Sequence, residues 1–153
     1  MRILITSLGT GMYNDGYRET TYRFSDNTQF TEKHFLRAVL KHDRSINRVV
    51  VLGTRTSSWD VFAEHCFDAW ERIKNECESE AGLRPESERT VEDCLAQDFP
   101  GIDFILKVHT PHLDRDTVEN VLEVYNTIPE KIPEGSEIVF DITHGFRSMP
   151  LLI

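Results

Sequence analysis

Short apolar runs alternate with stretches of helical periodicity along most of this chain. The runs cover residues 3–7, 49–52 and 104–106, and a fourth begins at Glu137; each is typical of a buried parallel strand. Between them, apolar residues recur every three or four positions, as in helices with one face against a core. This β-α-β-α-β-α-β order predicts an α/β fold in which helices cover both faces of a mainly parallel sheet.

The connections between these strands carry signals of their own. A small β-hairpin is predicted after the first strand of a Rossmann-like fold. Its signals are residues 17–24, the Asp26-Asn27 turn and Gln29-Phe30. The continuous helix expected after Ser58 has Cys66 and Trp70 on its core face. Charged residues 78–89 predict a solvated excursion. Helices are predicted to begin at four polar signals: Thr31, Ser58, Thr90 and Asp116.

Length and charge exclude some classes of function. A chain of 153 residues favours one domain, and a formal net charge of −9 argues against direct binding to duplex nucleic acid, which needs a basic face. No apolar run approaches membrane-spanning length. Cys66, Cys77 and Cys94 lack metal-ligand spacing and fit free thiols in a reducing cytosol, so we expect a cytoplasmic protein.

Small, hydroxyl-bearing and basic residues follow each predicted strand. Parallel strands end at one edge of a sheet, and ligands bind outside that edge, so these residues should converge. Backbone N–H groups and short hydroxyls suit a phosphate or a ribose, and the turn after the last strand adds a planar cation in Arg147. The predicted ligand-binding residues are Gly9, Thr10, Gly11, Thr54, Arg55, Ser57, Ser58, Trp59, Thr143, His144, Gly145 and Arg147.

Other functions for these residues are less well supported by the sequence, or stay open. Gly9-Thr10-Gly11 lacks the third glycine of a dinucleotide fingerprint, so no NAD cofactor is expected. Loop histidines without paired helical spacing do not predict a metal site. Asp141 could pair with His144 as acid and base, but an Asp at a strand end more often caps the next turn. Trp59 is interpreted equally well as a core residue or as a stacking platform for adenine.

Four segments together resemble a known family, and they follow its order over nearly the whole chain. They are residues 8–11 (LGTG), residues 19–24 (ETTYRF), residues 52–54 with 58–60 (LGT with SWD) and residues 141–150 (DITHGFRSMP). This pattern is similar to the CRISPR-associated proteins of the DxTHG class. Their N-terminal part is the CRISPR-associated Rossmann-fold, or CARF, domain.

The resemblance implies a domain that dimerises and binds a cyclic oligoadenylate across the dimer interface, without cofactor or metal. In type III CRISPR systems that ring is the second messenger, and relatives join the domain to an effector, commonly a HEPN ribonuclease. Since the chain stops at Ile153, soon after the motif, we expect residues 1–153 to be a CARF-like domain that is cut short or encoded by a split gene. No effector is expected within it.

The leading expectation is therefore a ligand sensor in a type III CRISPR antiviral response, with cyclic tetra-adenylate preferred on family grounds. A two-fold dimer suits a ring of repeated nucleotides, because an isologous interface presents each donor twice. The alternative is a ring nuclease that cleaves the ligand without metal, by attack of a ribose 2′-hydroxyl. Its candidate groups are the hydroxyls of Ser7, Thr10 and Thr143, with His144 and Arg147 stabilising the phosphate.

Overall fold

The fold is built on a parallel sheet, as the apolar runs predict. The computed structural model describes residues 1–9, 17–109, 132–141 and 143. Within them, four parallel strands lie in the order β5-β4-β1-β6, and β2 and β3 form a separate antiparallel pair. The elements are β1 (Arg2–Leu8), β2 (Thr20–Arg23), β3 (Gln29–Glu32), α1 (Phe35–His42), β4 (Arg48–Thr54), a 3₁₀ helix (Trp59–Phe62), α2 (Phe67–Glu78), α3 (Pro85–Asp98), β5 (Asp103–His109) and β6 (Glu137–Phe140). The predicted Rossmann-like α/β class and the hairpin after the first strand are confirmed.

The two faces of the sheet bury different side chains, because successive residues of a strand point to opposite faces. On one face, Leu4, Val49 and Leu106 pack with the apolar sides of α1, α2 and α3 in the larger core cluster. On the other face, Ile3 and Val50 belong to a smaller buried cluster. The helix predicted to begin at Asp116 lies outside the described residues.

The helix start predicted at Thr31 is wrong, and the helix predicted after Ser58 is shorter than expected. Thr31 belongs to β3, where it pairs with Thr21 of β2, so it cannot cap a helix. The cap of α1 is His34, whose Nδ1 accepts a hydrogen bond from the N–H of Leu36 at 3.1 Å. The helix expected after Ser58 is broken: a 3₁₀ turn holds Trp59, and α2 begins only at Phe67.

The predicted excursion at residues 78–89 is also wrong, because tertiary contacts order it. Leu83 is fully buried, and α3 starts at Pro85 with Thr90 inside it. The buried carboxylate of Glu76 accepts hydrogen bonds from the N–H of Arg84 and the hydroxyl of Ser87, both at 3.0 Å. A side chain of α2 thus occupies the N-terminus of α3, where an anion is favoured.

The expectation of three free thiols is corrected in the same region. The packing of α2 against α3 brings the Cα atoms of Cys66 and Cys94 to 6.2 Å, and the two residues form a disulfide. Only Cys77, of the three, is a free thiol, and burial raises its pKa to about 11. The cysteines therefore no longer support the argument for a reducing compartment.

Position 53 of β4 must be glycine because the ring of Trp59 lies against it, and this gives a first prediction. A Cβ added there would lie 2.6 Å from Cζ2 of Trp59, a distance that real side chains do not reach. We expect Gly53→Ala to lower the free energy of unfolding by about 1–2 kcal/mol, as overpacking does, measured by urea denaturation.

The control is the same change in a Trp59→Phe background, where the smaller ring leaves room for a methyl group. The cost of Gly53→Ala should fall by at least half there. An equal cost in both backgrounds would show that the indole is not the cause.

Candidate functional site

Four parallel strands bring their carboxyl ends to one edge of the sheet. Leu8 of β1 is in register with Gly53 of β4, and Thr54 of β4 is in register with His109 of β5. On the other side, the N–H of Asp141, just after β6, donates to the carbonyl of Ile5 at 2.8 Å. The carboxyl ends of the four strands therefore lie along a common edge, as the sequence predicts.

Asp141 fastens the turn after β6 to the neighbouring strand. Its side chain is 9% exposed, and Oδ2 accepts a hydrogen bond from Oγ1 of Thr6 at 2.6 Å. Oδ1 accepts another from the N–H of Thr143 at 2.8 Å. The interpretation of Asp141 as a cap for the following turn is confirmed. Thr143 itself is exposed at the edge, where its hydroxyl suits a ligand.

Gly9 is held at the end of β1 from two sides. Its N–H donates to the hydroxyl of Tyr17 at 2.9 Å, and its carbonyl accepts from the N–H of Ser58 at 3.0 Å. Burial raises the pKa of Tyr17 to about 12, the N–H of Gly9 opposing the shift. The charge of nearby Asp141 raises it further. The phenol is therefore neutral at physiological pH.

Ser57 and Trp59 lie beneath the edge and hold the loop after β4. The fully buried hydroxyl of Ser57 donates to the carbonyl of Leu8 at 2.8 Å and accepts from the N–H of Thr54 at 3.0 Å. The indole N–H of Trp59, also fully buried, donates to the carbonyl of Thr54 at 2.7 Å. The core interpretation of Trp59 describes the structure, and the stacking platform is corrected, since no face of the ring is accessible.

The guanidinium of Arg55 has partners within the fold, and its role beside a ligand stays a prediction. Its Nη1 donates to the carbonyl of Leu83 at 2.7 Å and lies 3.5 Å from a carboxylate oxygen of Glu88. Burial raises the pKa of Glu88, and Arg55 partly offsets that shift. The backbone of Arg55 also bridges two segments, since its N–H donates to His109 and its carbonyl accepts from Leu83.

The structure describes some of the remaining predicted residues, and the others lie outside the described ranges. Thr54 and Ser58 are half-buried at the edge, whereas Ser7 is 4% exposed within β1, which removes its hydroxyl from solvent. The residues outside the described ranges are Thr10, Gly11, His144, Gly145 and Arg147.

Two residues of the site were missed by sequence reasoning. Thr6 could have been found from register, because Ile5 opposite Phe140 sets Thr6 beside Asp141. No sequence pattern indicated a role for Tyr17, because only the fold brings its hydroxyl to Gly9.

Metal-ligand clusters and membrane-spanning helices are both absent from the described ranges. In residues 1–9, 17–109, 132–141 and 143, no three His, Cys, Asp or Glu side chains gather as metal ligands. In the same part of the chain, no helix has both the length and the apolar character needed to cross a bilayer.

Comparison with known proteins identifies the family. Residues 3–153 match the model of the family described as "CRISPR system endoribonuclease Csx1, CARF domain". The chain belongs to this family of CARF domains. The CARF domain is also similar to CRISPR-associated protein MJ1674 of Methanocaldococcus jannaschii, at 25% identity over 176 aligned residues. That alignment covers 100% of this chain and 28% of the relative, so the CARF domain spans under a third of the relative's length.

Proposed function

We propose that this CARF domain is the ligand-sensing module of a type III CRISPR response in the cytoplasm. It binds a cyclic oligoadenylate, with cyclic tetra-adenylate preferred, across a two-fold dimer of DxTHG-class domains. The observation that carries the proposal is the shared carboxyl edge of four strands, where the turn after β6 is fastened to β1 through Asp141 and Thr6. Membership of the CARF family supports the choice of a cyclic oligoadenylate as the ligand.

The chemistry of the edge suits a compact polyanion. Thr54 and Thr143 carry hydroxyls there, and backbone N–H groups at strand ends form concave anion sites. The whole chain, with a formal net charge of −9, repels long nucleic acid, so a small ring held by a few local donors is favoured over duplex. Two copies facing each other would present these donors twice to a ring of repeated phosphates.

Calorimetry with purified cyclic tetra-adenylate and cyclic hexa-adenylate tests this proposal. We expect saturable binding of the tetramer at one ring per two chains, weaker binding of the hexamer, and none of linear oligoadenylate of equal length. Sedimentation should show a dimer in the presence of ligand. The absence of binding by either ring, in a chain whose circular dichroism shows it to be folded, would overturn the proposal.

The same samples separate a sensor from the alternative ring nuclease. We expect intact ring to be recovered after hours of incubation with excess protein in EDTA. Linear products under those conditions would replace the sensor with the metal-independent nuclease.

Arg147 provides a residue-level prediction for the proposed site. As a donor to a ligand phosphate, its loss in Arg147→Ala should weaken binding by about 1.5–3 kcal/mol per site, the range for hydrogen bonds to charged groups. Lysine should restore part of that loss, since it keeps the charge without the planar fork. Melting temperature should not change, and wild-type affinity in Arg147→Ala would remove this residue from the site.

A further inference from the structure

The first backbone donor at the end of β1 is already engaged by a side chain. The N–H of Gly9 lies 2.9 Å from the hydroxyl oxygen of Tyr17, which accepts its hydrogen bond. Gly9 stands at the carboxyl edge, where a backbone N–H is the type of donor that binds phosphate in parallel α/β sheets. Any anion that uses this donor must therefore take the place of the phenol.

Tyr17 connects this edge to two other parts of the fold. Its ring packs against the larger core cluster and meets the ring of His34 edge-on, with centroids 5.1 Å apart. His34 is fully buried and caps α1 through the N–H of Leu36. Three residues after Tyr17, β2 begins. A shift of the Tyr17 ring would thus be felt at the cap of α1 and at the start of the hairpin.

The phenol is an acceptor that a phosphate can replace. Burial holds Tyr17 neutral at physiological pH, so its bond to Gly9 joins two uncharged groups. A hydrogen bond from the same N–H to a phosphate oxygen is charge-assisted and roughly twice as strong. The exchange therefore favours the ligand once it is present, and in its absence the phenol accepts the hydrogen bond of Gly9.

We propose that Tyr17 occupies the ligand site as a displaceable stand-in for phosphate, so that a ligand phosphate takes the N–H of Gly9 and moves Tyr17 away from it. This inference rests on the proposed function, since it concerns the same cyclic oligoadenylate site. In the free protein Tyr17 competes with the ligand, which lowers the affinity. Ligand binding at the edge would also move a residue that contacts the cap of α1 and precedes the hairpin.

The test compares three proteins by calorimetry with cyclic tetra-adenylate: wild type, Tyr17→Phe and Tyr22→Phe. Phenylalanine keeps the ring of Tyr17 and removes the competing oxygen, which leaves the N–H of Gly9 for the ligand. Tyr17→Phe should bind roughly 2- to 12-fold more tightly per protomer, the value of one net hydrogen bond. The same variant should melt at a lower temperature, because its free form lacks that bond.

Tyr22→Phe is the matched control. Tyr22 is a half-buried tyrosine of the hairpin, its ring 5.1 Å from that of Phe35, and its pKa is raised by burial and then by the charge of Asp141. It has the same phenol group as Tyr17 but lies within β2, whereas Tyr17 precedes that strand. Its affinity for the ring should equal that of wild type within twofold.

The outcomes separate this inference from the function on which it rests. Tighter binding with lower thermal stability in Tyr17→Phe supports the displaceable phenol. Equal or weaker binding in Tyr17→Phe, with wild type binding normally, overturns the displacement and leaves the sensor function standing. Absence of binding in all three folded proteins overturns both.

Discussion

Replacing Arg37 with alanine is expected to lower the free energy of unfolding by about 3 kcal/mol, within the range for breaking a buried ion pair. The side chain of Arg37, on α1, is 8% exposed, and its Nη2 lies 2.7 Å from a carboxylate oxygen of Asp98 at the end of α3. The same nitrogen donates to the carbonyl of Phe62 at 3.3 Å, and the guanidinium stands 5.7 Å from the ring centre of Phe99. One side chain thus joins α1, the 3₁₀ helix and α3.

The chain supplies a matched surface pair for comparison. Arg89 and Asp93 are an exposed i,i+4 pair at 3.8 Å, with side chains 80% and 61% exposed. Arg89→Ala should cost under about 0.5 kcal/mol, since exposed pairs contribute little. Urea denaturation of both variants measures the contrast, and Arg37→Lys should fall between them because lysine keeps a charge but not the fork. Similar small losses in Arg37→Ala and Arg89→Ala would contradict the central role of Arg37.

The strands were predictable because burial on both faces of a sheet requires short apolar runs. Residues 3–5 and 49–52 are apolar throughout, and such short runs are typical of strands within a covered sheet. The crossover rule then makes the sheet parallel and aligns the carboxyl ends, so the edge that carries Gly9 and Thr54 could be anticipated.

Elements that depend on distant partners could not be read from local pattern. The start of α3 at Pro85 looked like charged coil, because the group at its N-terminus is Glu76 of the preceding helix. The Cys66–Cys94 disulfide depends on how α2 packs on α3, which spacing along the chain does not reveal. The 3₁₀ turn at Trp59 likewise follows from a buried indole that bonds to Thr54.

In the candidate site, too, the local sequence predicted some features, whereas others depend on distant partners. Residue types at strand ends predicted a ligand site at the carboxyl edge, and Thr54, Ser58 and Thr143 lie at that edge; ligand binding there stays a prediction. Which polar groups face a ligand and which hold the loop is a matter of side-chain direction. Ser57 and Arg55 bond inward, and that could be known only from the partners they find.

The second large effect is expected at Asp141. Asp141→Ala removes the acceptor of two hydrogen bonds and leaves the buried hydroxyl of Thr6 and the N–H of Thr143 without it. Hydrogen bonds to a charged group are each worth about 1.5–3 kcal/mol, and shared desolvation makes the pair less than additive, so we expect a loss of about 3 kcal/mol in the free energy of unfolding. Thermal and urea denaturation measure it.

Asp141→Ala should also weaken ligand binding. Without Asp141 the turn at Thr143 is no longer held, and ordering even one residue of backbone on binding costs about 1–2 kcal/mol, or a roughly 5- to 30-fold weaker affinity for cyclic tetra-adenylate. Asp141→Asn should retain more of both properties, because an amide can accept from Thr143 and donate to the hydroxyl of Thr6.

A double-mutant cycle with Thr6→Val decides whether the bond between β1 and the turn is the cause. Valine keeps the shape of threonine without its hydroxyl, so Thr6→Val alone should cost about 1–2 kcal/mol by leaving one carboxylate oxygen of Asp141 unpaired. In the Asp141→Ala background the same change should cost almost nothing, because its partner is already absent. A coupling energy of about 1–2 kcal/mol is therefore expected, and strictly additive losses would show that Thr6 and Asp141 stabilise the edge independently.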